Sequence, residues 1–226
     1  LIVGGLGFFI IRSFNTDAFQ KQIVESISEM TGREFNVMGA TYVSWFPTPR
    51  IVMNDITLAN IKGSQRAVMV RANRVGVELE WASLLKNPLV IKKIDIENPT
   101  VFLERMDETN VNWNFPFLFE TKTNLNDFGM DTTRASIRVD TVSVRGGSIE
   151  YTNALNQMKW VVSSINGNLS MDTLQGPYTF NGTFRSKEQT VSAQLKIMQL
   201  RADTAVPFSL NLVGGDNKFL FDFSGT

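Results

Sequence analysis

The stretch Ile91-Lys-Lys-Ile-Asp-Ile-Glu-Asn-Pro-Thr-Val-Phe-Leu-Glu-Arg105 sets the fold class. Ile94 and Ile96 alternate with Asp95 and Glu97; Asn98-Pro99 interrupts, and Val101-x-Leu103 resumes. A period of two puts successive side chains on opposite faces of an extended chain, so each run reads as a strand with one apolar face. The same reading extends outward on both sides. Val75, Val77, Leu79 and Trp81 alternate with Gly76, Glu78 and Glu80. Val142 and Val144 alternate with Ser143 and Arg145, and Ile149 and Tyr151 with Ser148 and Glu150. Tyr178, Phe180 and Phe184, then Phe208, Leu210 and Leu212, then Phe219, Phe221 and Phe223 complete the series. Asn98-Pro99, Gly146-Gly147, Gly176-Pro177 and Gly214-Gly215-Asp216-Asn217 carry turn chemistry and predict hairpins, hence antiparallel pairing. A short helical turn fits Trp81–Lys86.

A weak internal repeat runs through these strands. Ile94-x-Ile96, a turn and Val101-x-Leu103 recur as Val142-x-Val144, a turn and Ile149-x-Tyr151, with Trp113 after the first copy and Trp160 after the second. Ile56-x-Leu58 is a partial third copy. The alternative is that any two hairpins look alike at this resolution. Glu120–Arg134 between the full copies is polar and turn-rich, and reads as a surface loop or linker.

The chain starts differently. Leu1–Ile11, LIVGGLGFFII, has no charged or hydrogen-bonding side chain. Eleven residues reach about 16 Å, roughly half a hydrocarbon core, so the run reads as the end of a membrane-spanning helix. Its glycines would weaken a buried helix in water and are common in membrane helices. The anchoring side chains are Leu1, Ile2, Val3, Leu6, Phe8, Phe9, Ile10 and Ile11. An amphipathic helix follows: Asn15, Thr16 and Asp17 offer N-caps, Phe19, Ile23, Ile27 and Met30 recur at helical spacing, and Gly32 suits a left-handed stop. Its polar face is not rich in Lys and Arg, so packing on a sheet is favoured over lying on a membrane surface.

Composition narrows the function. The 22 basic and 22 acidic residues cancel, which argues against nucleic acid as a partner. Cysteine and histidine are both absent, removing disulfides, thiolate metal sites and the commonest general base. Ser83-Leu-Leu-Lys86 has S-x-x-K spacing without its companion motifs. Asp95 with Glu97 reads as the wet face of a strand, and Asp107 with Glu108 as a turn; neither pair has a partner that would split its pKa values. No phosphate, dinucleotide or calcium loop occurs. The expectation is a non-enzyme without cofactor or metal. Seventeen Phe and four Trp make the apolar faces bulky. They suit either a closed core or an open trough for acyl chains, and alternation does not separate the two.

Several stretches, taken in order, resemble the N-terminal region of the AsmA family of bacterial envelope proteins. The apolar run is followed by Phe14-Asn-Thr-Asp-Ala-Phe19 and Met30-Thr-Gly-Arg-Glu34. Then come Val43-Ser-Trp-Phe-Pro47, Asn54-Asp-Ile-Thr-Leu58, Arg71–Leu79, Ser83-Leu-Leu85, Ile91–Arg105 and Asn112-Trp-Asn-Phe115. Val139–Tyr151 and Leu174–Phe184 continue the likeness. The resemblance implies an inner-membrane protein with a single N-terminal span and its body in the periplasm, similar to bridge-like lipid transfer proteins. In these the sheet curls into a groove that carries phospholipid toward the outer membrane. It supplies no catalytic residues.

The expected chain is thus mainly β: a transmembrane helix and an amphipathic helix, then an antiparallel, curled sheet. The divisions are 1–14, end of the anchor; 15–32, amphipathic helix; 33–119, first groove region; 120–136, polar loop; and 137–226, second groove region continuing beyond the fragment. Groove candidates are Val142, Val144, Ile149, Tyr151, Tyr178, Phe180, Phe184, Phe208, Leu210, Phe219, Phe221 and Phe223. Expected partners are phospholipids, the inner membrane and outer-membrane or envelope proteins. The competing reading is an assembly factor for outer-membrane proteins that pairs a client strand at the sheet edge.

Overall fold

A computed structural model describes residues 16–85, 89–115, 137–171, 176–200, 205–214 and 219–225. The anchor run and the loop 120–136 lie outside the described residues. Among those described, no helix is long and apolar enough to cross a membrane.

Helix α1, Thr16–Thr31, stops at Gly32, whose φ of 65° needs no Cβ clearance. Among the described residues thirteen strands follow, joined in one sheet: β1 Phe35–Val37, β2 Thr41–Ser44, β3 Arg50–Ala59, β4 Val68–Leu79, β5 Leu89–Glu97, β6 Thr100–Arg105, β7 Ile137–Val139, β8 Val142–Asn153, β9 Met158–Met171, β10 Tyr178–Ser186, β11 Gln189–Ile197, β12 Phe208–Gly214 and β13 Phe219–Gly225. A 3₁₀ turn, Trp81–Leu85, fills the predicted helical turn. Neighbours run in the order β1-β3-β4-β5-β8-β9-β10-β11-β12-β13, with β2 beside β3, β6 between β4 and β8, and β7 beside β5.

Two expected turns are not turns. Asn98-Pro99 does not fold β6 back on β5; both strands line β4, with Arg74 opposite Glu97 and Arg71 opposite Thr100. Gly146-Gly147 lies inside the single strand β8. The centre of the sheet is consequently parallel: β5–β6 and β7–β8 lie side by side at a constant offset of 48 residues, from Leu89 opposite Ile137 through Ile94 opposite Val142 to Arg105 opposite Asn153. The two full copies of the repeat are therefore direct neighbours in register. The sheet is mixed where full antiparallel pairing was expected, because the chain passes straight through both interruptions.

What these dipeptides do is bend the strands. Asp55, Asn98, Gly146 and Ser164 all have φ between 49° and 65°. A left-handed residue inside a strand resets the alternation by one and bends the chain. Apolar positions step by three across the line: Met53 to Ile56, Ile96 to Pro99, Val144 to Gly147, Val162 to Ile165. A Cβ on Gly147 would meet Val144 Cγ1 at 2.9 Å, Pro99 Cγ at 3.3 Å and Ile165 Cβ at 3.3 Å, so these residues share one side of the crease. The crease crosses the strands and curls the sheet without switching its apolar face.

Phe35, Ile51, Met53, Ile56, Ala72 and Val75 form the core, with Ile23, Val24 and Ile27 of α1 packed on it. Of the expected helical stripe, Ile23 and Ile27 meet this core; the Phe19 side chain lies outside the described residues. Lys21, Glu25 and Glu29 face solvent.

Candidate functional site

Cross-strand partners lie on the same face of a sheet, so the register can be followed from strand to strand. One row runs Ile51, Val77, Ile94, Val142, Leu169, Phe180, Leu195, Leu210, Phe223. The next runs Met53, Val75, Ile96, Val144, Gly167, Gly182, Ala193, Leu212, Phe221. Neither contains a polar side chain. The row between them, on the opposite face, runs Val52, Gly76, Asp95, Ser143, Asn168, Asn181, Gln194, Asn211, Asp222. It is polar from Asp95 onward. One face of the sheet is thus continuously apolar and the other predominantly hydrophilic. Nine strands are crossed in eight steps, which at about 4.8 Å each gives ~38 Å of apolar path.

At the start of this path α1 packs its Ile23, Val24 and Ile27 on the cluster that holds Ile51, Met53 and Val75. Beyond it, among the described residues, no helix is laid on the apolar face, and Leu169, Phe180, Leu195, Leu210 and Leu212 are only half-buried. Phe221 and Phe223, stacked at 6.0 Å, are 50% and 51% exposed. Val142, Val191 and Ala193 on the same face are buried. Among the described residues, the arrangement is a trough with α1 packed at its first end.

The trough has a low point. A Cβ on Gly167 would meet Phe180 Cε2 at 2.8 Å, and one on Gly182 would meet Phe180 Cζ at 2.7 Å. The Phe180 ring therefore lies across this glycine pair and covers backbone that a larger residue in the second row would displace. Of the candidates named from sequence, Val142, Val144, Ile149, Tyr151, Tyr178, Phe180, Phe184, Phe208, Leu210, Phe221 and Phe223 are joined by register on the apolar face. Phe219 pairs with Gly214, and its side chain lies outside the described residues. Burial pushes the Tyr178 hydroxyl above its ordinary pKa, so it stays neutral beside the apolar rows. Trp113, Tyr151 and Trp160 make a chain of rings along one rim, at 6.0 and 5.3 Å.

Sequence reading did not single out Leu169, Leu195 and Leu212 as groove positions, although Leu169 and Leu195 each lie between two polar residues. It also missed the polar brace that holds the first half. Asn112, fully buried, accepts the Glu104 N–H at 2.8 Å and donates to Phe102 O at 2.7 Å and Asn60 Oδ1 at 3.1 Å. Arg33, also buried, donates to the Asn112 carbonyl and lies over the Phe115 ring, with its pKa lowered by desolvation. Asp95, read from the sequence as part of the wet face of a strand, is instead buried at 6% exposure on the polar face, where Lys93 at 2.8 Å and Arg50 at 3.3 Å balance its charge.

The AsmA family model matches residues 1–212. AsmA family protein YhjG of Escherichia coli (strain K12) is 24% identical over 194 residues, which cover 80% of this chain and 27% of that protein. The chain thus spans about a quarter of the length of this curated relative. With the family match running from the apolar N-terminal run to β12, the chain belongs to the AsmA family.

Proposed function

We propose that this chain forms the first part of a periplasmic lipid conduit anchored in the inner membrane, and that it moves phospholipid along the apolar trough toward the outer membrane without catalysing a reaction. The observation that carries this reading is the pair of unbroken apolar rows on a face left open beyond α1. Each methylene kept from water is worth ~0.8 kcal/mol, so an acyl chain of about fifteen methylenes leaving a bilayer faces a barrier on the order of 12 kcal/mol. A trough of ~38 Å is longer than one leaflet's share of the hydrocarbon core, ~15 Å, and would shield such a chain over its full length. The polar face opposite keeps the sheet wetted outside. Family membership and the uncharged run Leu1–Ile11 support the placement in the envelope.

Photo-crosslinking side chains at Phe180, Leu195 and Leu210 should capture phospholipid in cells, and those at Ser143, Gln194 and Asn211 should not. Equal capture by the two sets would count against a one-sided trough.

A further inference from the structure

An aromatic cluster that the trough does not use stands at the end of the sheet from which α1 starts. Ser28 Oγ accepts the Phe35 N–H at 3.0 Å near the helix C-terminus, and eight residues earlier Gln20 Nε2 donates to Val37 O at 3.3 Å. Phe35 is opposite Leu58 and Val37 opposite Ile56, whereas Ser44 is opposite Arg50. The helix therefore runs antiparallel to β1, and its N-terminus points toward the Arg50 end of β3. That end carries Trp45, Phe46 and Trp81. Trp81 lies 6.1 Å from Trp45 and 6.0 Å from Phe46, and its indole N–H donates to Pro47 O at 3.1 Å. Phe46 is 79% exposed, and Trp81 beside it is exposed as well.

Single exposed apolar residues are ordinary, but large rings held together in water mark a contact surface. Tryptophan, apolar with one polar N–H, is suited to the boundary between lipid and water. In the chain, the uncharged run Leu1–Ile11 ends only a few residues before Thr16, where α1 begins. We propose that Trp45, Phe46 and Trp81 seat this end of the sheet on the headgroup region of the membrane that holds Leu1–Ile11. The seat rests on the anchored reading given above. It puts the first strands of the trough against the bilayer surface.

The test uses the whole chain with Trp113→Phe and Trp160→Phe, so that only Trp45 and Trp81 emit. It is reconstituted in vesicles of equal parts phosphatidylcholine and phosphatidylglycerol brominated near the headgroup. Indole emission should fall by about half, as expected for interfacial rings. It should fall less in Phe46→Ser, whose circular dichroism should not change because Phe46 is exposed. Quenching should persist in Phe180→Asp, which interrupts the trough. Absent quenching in chains that still float with the vesicles would overturn the seat and leave the anchor standing. Loss of quenching in Phe180→Asp would assign the signal to trough lipid and also overturn it. Chains that fail to float would overturn the anchor, and the seat with it.

Discussion

Replacing Phe180 separates an open trough from a closed core. Its ring is half-buried, lies between Leu169 and Leu195 in its row, and covers Gly167 and Gly182. A fully buried phenylalanine cut to alanine costs about 3–5 kcal/mol, including the cavity left behind. Here about two-thirds or more of a ~200 Å² side chain is withdrawn from water; at ~25 cal/mol per Å² that gives ~3 kcal/mol or more against an extended chain, brought down toward ~2 kcal/mol because the unfolded chain is itself partly compact. Phe180→Ala should therefore cost ~2 kcal/mol. With a urea slope of about 2 kcal/mol per molar, the midpoint followed by circular dichroism should fall by ~1 M. Phe180→Asp is the sharper variant. On an open face its carboxylate stays hydrated, so the sheet should form, while the apolar row is cut between Leu169 and Leu195 and phospholipid co-purifying with the chain should drop. In a closed core the same charge would be unpaired and dry, and folding would fail. Loss of the β signal in Phe180→Asp, or an alanine cost near 5 kcal/mol, would refute the trough at this position.

Further outcomes follow from the crease, the brace and the turn that holds Asp107. Gly146→Ala places a Cβ at a φ of 65° against Asn98 Oδ1 and should lower stability by about 1–3 kcal/mol, read as a drop in Tm. Gly63→Ala, at a φ of 90° but with nothing within 4 Å of the added carbon, should cost less. Asn112→Ala strands the Glu104 N–H and the Phe102 carbonyl and should cost about 3 kcal/mol in urea unfolding. Asp107 is held at a pKa of about 2 by the Asn110 side chain and the N–H groups of Thr109 and Asn110. Its folded value lies below its unfolded value, so its contribution is present above pH ~4 and lost as pH falls through about 2. Carboxyl NMR should place its midpoint there, and Asn110→Ala should raise it.

Local rules read from the chain reached a long way. Alternation in Val75–Leu79 and Tyr178–Phe184 marks strands because a strand's side chains have a period of two wherever it is placed, although the same alternation carried on to Trp81 runs into the 3₁₀ turn. The helix expected over 15–32 and found at Thr16–Thr31 was legible because its apolar spacing and the glycine that stops it are both local signals. The repeat was visible too, since two copies that must lie side by side keep the same apolar spacing. The AsmA family was also recognisable from the order of its short motifs.

Tertiary structure decided what no local rule could. Asn98-Pro99 and Gly146-Gly147 look like hairpin turns because a left-handed residue serves a turn and a strand bend equally well. The choice depends on the strand alongside: β4 offers partners on both sides of Asn98-Pro99, so the chain continues rather than doubling back. The contact between Arg33 and Asn112 joins residues 79 positions apart, beyond the reach of any window along the chain. The sequence by itself determined that every strand has one apolar face, because alternation is a property of each strand alone. That these faces line up into rows from Ile51 to Phe223, and that α1 roofs only the first of them, depends on register and layering. Those are set by pairing between distant segments, and only the folded sheet records them.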